Sequence, residues 1–180
     1  MKPLLSLLLC AAATVLAEPP RAVELFGTYG VMRGGGDEGS AGSASTWGGA
    51  ATIPFTHRWA FDVQALTSPL SDQPQFRLRR VLLSPALQYR RGSDRAYWFI
   101  AAGPGLQRDR ARGVYEAFVG TAWQPVSFDH TESGLTLHWR TGAVFQPAPR
   151  LLLRTEFFWA NRYVLPNLGV ALSLGLRLGR

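Results

Sequence analysis

Apolar residues recur at every second position in runs of about ten residues, and no other feature of the chain restricts its fold so strongly. The run near the carboxyl end shows the pattern best. One face carries Leu168, Val170, Leu172, Leu174, Leu176 and Leu178, and the other carries Ala171, Ser173, Gly175 and Arg177. This period is that of an extended strand with two unlike faces, and about ten residues is the length of a tilted strand that crosses a bilayer. The pattern therefore predicts β-strands with one apolar and one mixed face.

Eight such runs follow one another, and turn residues separate them. We predict strands near residues 23–31, 46–53, 59–66, 80–89, 97–101, 135–145, 151–159 and 168–178. Short turns near 54–57, 91–95 and 146–149 alternate with longer loops near 32–44, 68–77, 107–134 and 160–167. Short periplasmic turns and long external loops are typical of bacterial outer-membrane barrels. The sequence therefore predicts an all-β fold: a closed, antiparallel, up-and-down barrel of eight transmembrane strands.

Two local features of this pattern need an interpretation. Residues 114–128 are also strand-like and could count as a ninth strand. Because an antiparallel barrel with both ends in the periplasm needs an even number of strands, we interpret them as a hairpin that extends the third external loop. Pro85 lies inside the fourth run, where it cannot donate a hydrogen bond to a neighbouring strand. It predicts a β-bulge there.

The first 17 residues have the pattern of a cleaved secretory signal. Lys2 supplies the positive start, residues 4–15 supply the apolar stretch, and residues 15–17 form a cleavage site before Glu18. We expect residues 1–17 to be a signal peptide and residues 18–180 to form one barrel domain. Cys10 leaves a lipoprotein alternative, which Leu9 disfavours because a small residue is expected before a lipidated cysteine.

The charge of the chain narrows the set of partners. The formal net charge is +7, and every basic residue after Lys2, apart from histidine, is arginine. Such a bias favours partners with phosphate groups, either nucleic acid or anionic lipid. Because an exported chain does not meet nucleic acid, we expect contacts with outer-membrane lipid and lipopolysaccharide. We also expect the barrel-assembly machinery to bind the chain during biogenesis, and the folded protein to be a monomer.

Charged residues in the middle of the runs fall on the mixed face. A soluble barrel would turn this face outward and a membrane barrel would turn it inward. Glycine and alanine beside the charges fit a narrow interior, which favours the membrane barrel. Side chains fill a barrel of eight strands, so we expect no open pore and paired interior charges. The predicted interior network consists of Glu24, Asp62, Arg80, Arg140, Arg154, Glu156 and Arg177.

Aromatic residues near the ends of the runs support the same orientation. Such residues form girdles at the two interfaces of a membrane barrel. The predicted girdle residues are Tyr29, Trp47, Trp59, Tyr89, Tyr97, Trp139 and Trp159. The alternative is a soluble periplasmic barrel that binds a ligand, in which these residues would pack into a core.

Three stretches, taken together, follow the order glycine-marked strand, proline turn, arginine-bearing strand and final strand. They are WFIAAGPGL (98–106), TGAVFQPAPRLLLRTEFFW (141–159) and LGVALSLGLRL (168–178). This order resembles the small eight-stranded outer-membrane proteins of the OmpA and OmpX type. The resemblance implies a non-enzymatic protein of the bacterial outer membrane with a structural or surface-interaction role. Members of that group usually end on an aromatic residue, whereas this chain ends Leu178-Gly179-Arg180.

The last hairpin is also superficially similar to that of the lipid A 3-O-deacylases, another group of eight-stranded barrels. Their His-x-Ser-Asn signature is followed by Pro-Asn, and this chain has Asn161 and later Pro166-Asn167. However, Phe158 stands at the position of the base and Ala160 at that of the nucleophile. Acyl transfer needs a hydroxyl beside a base, so we predict no enzymatic activity and no catalytic residue.

Arg108, Arg110 and Arg112 are clustered in a predicted external loop. Because the guanidinium fork matches the geometry of phosphate, they are candidate contacts for lipopolysaccharide. The alternative is a charged loop that only water surrounds. The three histidines, at positions 57, 130 and 138, are too scattered for a metal site, and we expect no cofactor.

Overall fold

The computed structural model describes residues 22–35, 42–73, 75–120, 122–162 and 165–179. These ranges contain eight strands. They are β1 (Val23–Gly34), β2 (Gly42–Pro54), β3 (Trp59–Gln73), β4 (Phe76–Gly92), β5 (Ala96–Val119), β6 (Ala122–Ala148), β7 (Leu151–Asn161) and β8 (Asn167–Leu178). Each strand pairs antiparallel with the next, and β1 pairs with β8, which closes the barrel. The predicted fold is confirmed, whereas the predicted signal peptide (1–17) lies outside the described residues.

Side chains alternate between the interior and the outside of the barrel, as the period of two predicts. In β8, Leu172 and Leu174 are 58% and 59% exposed on the outside, whereas Ser173 between them is 1% exposed. In β4, Arg80 is buried and its neighbour Val81 is exposed. An apolar outside around a polar interior is the reverse of a soluble barrel, and it is stable when lipid surrounds the sheet. The molecule is therefore a membrane-spanning barrel.

The described residues contain no helix that is long and apolar enough to cross a bilayer.

The three short turns, the start of β1 and the end of β8 lie at one end of the barrel, which we call the periplasmic end. At the opposite, external end, two of the predicted long loops are wrong. β3 and β4 pair up to Gln73 opposite Phe76, and β5 and β6 pair up to Val119 opposite Ala122. The segments 68–77 and 107–134 are therefore mostly strand, because the ladders of hydrogen bonds continue beyond the membrane.

The longest of these extensions is the hairpin of β5 and β6. On one side, β4 reaches only to Phe76, which pairs with Gly113. On the other side, β7 ends at Asn161, which pairs with Leu137. Residues 114–119 and 122–127 consequently pair in the sheet only with each other, and they project from the barrel wall as a hairpin, not as a ninth strand of the barrel.

Pro85 interrupts the pairing of β4 with β5. The two strands pair up to Leu83 and again from Leu87, in the same register on both sides. In that register Pro85 stands opposite Pro104, and neither proline has an N–H group to donate. The prediction of a bulge at Pro85 is wrong. The gap in the pairing arises because the two prolines lack N–H donors, and neither strand has an extra residue.

Two apolar layers divide the interior along the barrel axis. The layer toward the periplasmic end consists of Phe26, Ala50, Ala86, Tyr97, Phe99, Ala101, Val144 and Leu152. The layer toward the external end consists of Met32, Leu66, Leu70, Leu82, Phe158, Ala160 and Ala171. The girdle position predicted for Tyr97 is wrong: it is 6% exposed and lies inside the barrel, on the inward face of β5.

Candidate functional site

The middle of the barrel holds four charged side chains, which we call the central network (Asp62, Arg140, Arg154 and Glu156). Arg154 Nη2 lies 2.6 Å from Glu156 Oε2 and 3.2 Å from Asp62 Oδ2. Arg140 Nη2 lies 3.1 Å from Asp62 Oδ2. Each of the four residues is at most 4% exposed. A charge can be buried at tolerable cost when a partner compensates it, and here two carboxylates meet two guanidinium groups.

Two smaller polar groups lie toward the ends of the barrel. At the periplasmic end, Tyr97 Oη and Arg177 Nη2 donate hydrogen bonds to Glu24, at 2.5 and 2.8 Å. At the external end, Arg80 donates to both carboxylate oxygens of Asp109, at 2.7 and 2.6 Å. The structure thus places all seven residues of the predicted interior network inside the barrel, in three separate groups.

The predicted network leaves out two interior charges. Asp109 lies in the segment that was expected to be a loop, yet it continues the alternation of β5 and is 8% exposed. Arg90, near the end of β4, lies 3.7 Å from Glu24, and its guanidinium carbon is 5.3 Å from the centre of the Tyr97 ring. Both residues could have been found by continuing the alternation of each strand past its apolar run.

A second charged surface lies on the outside of the barrel, at the external ends of β4 and β5. It consists of Arg77, Arg79, Arg108, Arg110 and Arg112, which are all exposed, and we call it the outer arginine cluster. In the register of the two strands, Arg77 stands opposite Arg112 and Arg79 opposite Arg110. The loop position predicted for Arg108, Arg110 and Arg112 is wrong, because β5 continues through all three.

Two aspartates neutralise part of this cluster. Asp129 of β6 accepts hydrogen bonds from Arg110 Nη2 at 2.8 Å and from Arg112 Nε at 2.9 Å. The hydrogen bond from Arg110 lowers the pKa of Asp129 to about 2, so this carboxylate is ionised at neutral pH. Arg77 Nε lies 3.1 Å from Asp72 Oδ1. Five arginines and two aspartates leave the surface with three uncompensated positive charges.

The uncompensated charge is concentrated on two of the arginines. Arg79 Nε donates to the hydroxyl of Thr67 at 3.2 Å, and this guanidinium group has no acidic partner among the described residues. Arg108 has no ion pair within the part of the chain that the structure describes. Near its lower edge, the outer arginine cluster therefore presents two guanidinium groups that no carboxylate of the described residues neutralises.

An apolar surface lies directly below the outer arginine cluster. Val81 and Leu83 continue the outward face of β4, and Leu106 continues that of β5; they are 40%, 40% and 51% exposed. Residues on the same face of a strand are about 6.6 Å apart. Arg79 and Arg108 therefore lie within one such step of exposed apolar side chains.

Solved structures of bacterial outer-membrane proteins have a similar architecture. Neisserial surface protein A matches with a TM-score of 0.61 at 13% sequence identity, over 89% of this chain and 99% of that chain. Ail of Yersinia pestis, solved in complex with the heparin analogue sucrose octasulfate, also matches with a TM-score of 0.61, at 9% identity over 89% and 100%. This chain has the fold of the small outer-membrane β-barrels.

The similarity holds at the level of fold. The amino-terminal barrel domain of OprF from Pseudomonas aeruginosa matches with a TM-score of 0.56 at 8% identity, over 89% of this chain and all of that domain. No family model and no curated protein matches the sequence. The predicted resemblance to small eight-stranded outer-membrane barrels is confirmed.

Within this outer-membrane fold, the two positions compared with lipid A deacylases face the interior. Phe158 and Ala160 are each 3% exposed and belong to the external apolar layer. Neither side chain can reach a lipid substrate on the outside of the barrel. His138 is also inside, and neither of its ring nitrogens has a hydrogen-bond partner among the described residues. In that same part of the chain, no group of three histidine, cysteine or acidic residues could hold a metal ion.

Proposed function

We propose that this protein is a non-enzymatic barrel of the bacterial outer membrane, with a structural or surface-interaction role and no open pore. We further propose that its outer arginine cluster binds the phosphate groups of lipopolysaccharide. The interior supports the first statement, because three polar groups and two apolar layers occupy the barrel. The outward surface of β4 and β5 supports the second.

The observation that carries the lipopolysaccharide proposal is the direct cross-strand pairing of arginines. Arg77 stands opposite Arg112, and Arg79 stands opposite Arg110. Like charges in directly opposite positions destabilise a sheet. The arrangement becomes favourable when an anion lies over the pairs and accepts hydrogen bonds from both strands. Phosphate suits this role because a guanidinium group can donate two parallel hydrogen bonds to it.

The position of the cluster agrees with this ligand. Its arginines lie on the outward face of the barrel, and two of them, Arg79 and Arg108, lie one step above Val81 and Leu106. A lipopolysaccharide molecule in the outer leaflet would place its acyl chains against these apolar side chains and its phosphates against the arginines. Ail, which has a similar fold, was solved with the heparin analogue sucrose octasulfate, and a sulfate group, like phosphate, is a tetrahedral anion.

Binding to lipopolysaccharide in nanodiscs tests the proposal. We expect the combined substitutions Arg108→Ala, Arg110→Ala and Arg112→Ala to weaken binding at least about tenfold, because three guanidinium donors are removed. Dephosphorylated lipopolysaccharide should bind the unchanged protein equally weakly.

The matched control removes three exposed arginines from the periplasmic end, by Arg58→Ala, Arg95→Ala and Arg150→Ala. It lowers the net charge by the same amount and should leave binding unchanged. Heat-modifiable mobility on gels shows that each variant is folded. Equal binding of the cluster variant and the unchanged protein would exclude the cluster as the site. Equal binding of phosphorylated and dephosphorylated lipopolysaccharide would exclude phosphate as the ligand.

A further inference from the structure

The periplasmic end of the barrel contains a cavity of about 710 Å³. The residues around it come from the ends of β1, β2, β4, β5 and β8 and from two short turns. Its size lies within the range of about 300–1,000 Å³ that is usual for small-molecule sites. We call it the periplasmic vestibule. Its walls carry four arginines and two acidic residues, namely Arg58, Arg90, Arg91 and Arg177 with Glu24 and Asp94.

Glu24 is already engaged within the protein. It is 1% exposed and accepts hydrogen bonds from Tyr97 and Arg177. Arg177 also donates to the main-chain oxygen of Asp94 at 3.1 Å and to the side chain of Gln146 at 2.8 Å, and it therefore spans the vestibule. The negative charge nearest the cavity is thus neutralised, and the remaining arginines determine its potential.

Arg90 lies in the wall of the vestibule, and the N–H groups of its guanidinium have few close hydrogen-bond acceptors. Its side chain is 11% exposed. It lies 3.7 Å from Glu24, and its hydrogen bond to the main-chain oxygen of Thr56 is 3.5 Å long. Its Nε is buried and has no hydrogen-bond partner among the described residues. Buried donors of a charged group are costly when they lack close acceptors, so this side chain favours an additional anion nearby.

Arg58 and Arg91 line the same vestibule from exposed positions at its rim. Together with Arg90 and Arg177 they outnumber the two acidic residues by two. A cavity lined mainly by one sign of charge between low-dielectric walls concentrates ions of the opposite sign. The barrel interior above it is filled by the periplasmic apolar layer, so a ligand can enter only from the periplasmic side.

From this geometry we propose that the periplasmic vestibule is a binding site for a ligand with two or more carboxylate or phosphate groups. The rim arginines Arg58 and Arg91 attract and bind one anionic group, and Arg90 binds a second one deeper in the cavity. Two sources carry this chemistry: a free anion of the periplasm with several acidic groups, and an anionic phospholipid with two phosphates in its headgroup, such as cardiolipin. The site is separate from the outer arginine cluster, which lies at the opposite end of the barrel.

Titration with citrate tests the site, using the full barrel in nanodiscs of neutral phosphatidylcholine. We expect saturable binding with a dissociation constant at or below about 1 mM. The double substitution Arg58→Ala and Arg91→Ala should weaken it about tenfold, because two of the cationic groups at the rim are lost. The matched control is Arg95→Ala with Arg150→Ala, which removes the same charge from the same end but outside the vestibule. It should change the affinity by less than about twofold.

The outcomes separate the site from general surface charge and from the lipopolysaccharide proposal. Absence of saturable citrate binding, or an equal loss in both double variants, would overturn the assignment. If cardiolipin, which has two phosphates in its headgroup, suppresses citrate binding when it is added to the nanodisc, the headgroup of the anionic lipid is the ligand; if it does not, the ligand is a free anion. The substitutions in the outer arginine cluster should leave citrate binding intact, so each proposal can fail without the other.

Discussion

At the scale of single residues, Asp129 lowers the net positive charge of the outer arginine cluster. Asp129 receives hydrogen bonds from both Arg110 and Arg112 and has a pKa of about 2. Its folded-state pKa lies below the ordinary value of 3.8, so its stabilising contribution is present above about pH 4 and is lost as the pH falls toward 2. Across the physiological range it therefore remains a negative charge that competes with any bound phosphate.

Replacing this residue should improve the proposed phosphate site. We expect Asp129→Asn to tighten binding to lipopolysaccharide about two- to fivefold, since an exposed opposing charge is removed. Because the pKa of Asp129 is about 2, the ratio of the two affinities should be the same at pH 5 and pH 7.

Glu132→Gln is the control for that substitution. It removes one negative charge from the same strand, but Glu132 lies on the opposite face of β6, where it pairs with Arg162. Binding measurements in nanodiscs should show no gain for this control. A gain of similar size in both variants would mean that net charge, and not the outer arginine cluster, controls the affinity.

At the scale of the elements, the extended hairpin of β5 and β6 is almost independent of the barrel. Its two arms pair with each other from Gly113–Phe128 to Val119–Ala122. Phe118 and Trp123 form an edge-to-face pair with ring centres 5.7 Å apart and are 61% and 68% exposed. The contact with the rest of the molecule is limited, as in the hydrogen bond from Val114 N to Gln75 O at 3.0 Å.

A shortened hairpin should therefore leave the barrel intact. Val114 and Ser127 are direct cross-strand partners, so residues 115–126 can be replaced by Asn-Gly, which favours a tight two-residue turn. We expect the free energy of unfolding in urea to change by less than about 1 kcal/mol, because no interior contact is lost. Heat-modifiable mobility and lipopolysaccharide binding should persist. Loss of folding would show that the hairpin supports closure of the barrel.

At the scale of the whole molecule, the interior consists of alternating polar and apolar layers. The central network lies between the two apolar layers, and Arg154 stacks over the ring of Phe99 at 4.4 Å from its centre. Eight strands leave an interior that side chains can fill. The polar residues of this molecule thus pair with one another across the interior, an arrangement that supports the proposed absence of an open pore.

Conductance across planar bilayers tests this interpretation. We expect the purified protein to give no steady current above that of the protein-free bilayer, because the two apolar layers lie across the axis and exclude water. A porin inserted under the same conditions supplies the positive control. Stable, voltage-independent current steps from this protein would contradict the absence of an open pore.

Much of this fold could be predicted from local pattern alone. Alternation places Arg154 and Glu156 on one face of a strand and Leu153 and Thr155 on the other, because successive side chains point to opposite faces whatever the strand pairs with. The number of strands and, except in β5, their inward faces followed from this rule. The same rule could not show where β3 to β6 end, since their outer parts are polar and lack the apolar run.

The tertiary structure decided which residues meet. Arg154 pairs with Asp62, which is distant in sequence, because closure of the sheet brings β7 and β3 to opposite walls of one interior. The register of β4 with β5 likewise places Arg79 opposite Arg110. The folding of the short turns places Arg58 beside the cavity that Arg90 also lines. Local periodicity determines the direction of a side chain, but its partners depend on hydrogen-bond register and barrel closure, which are properties of the whole chain.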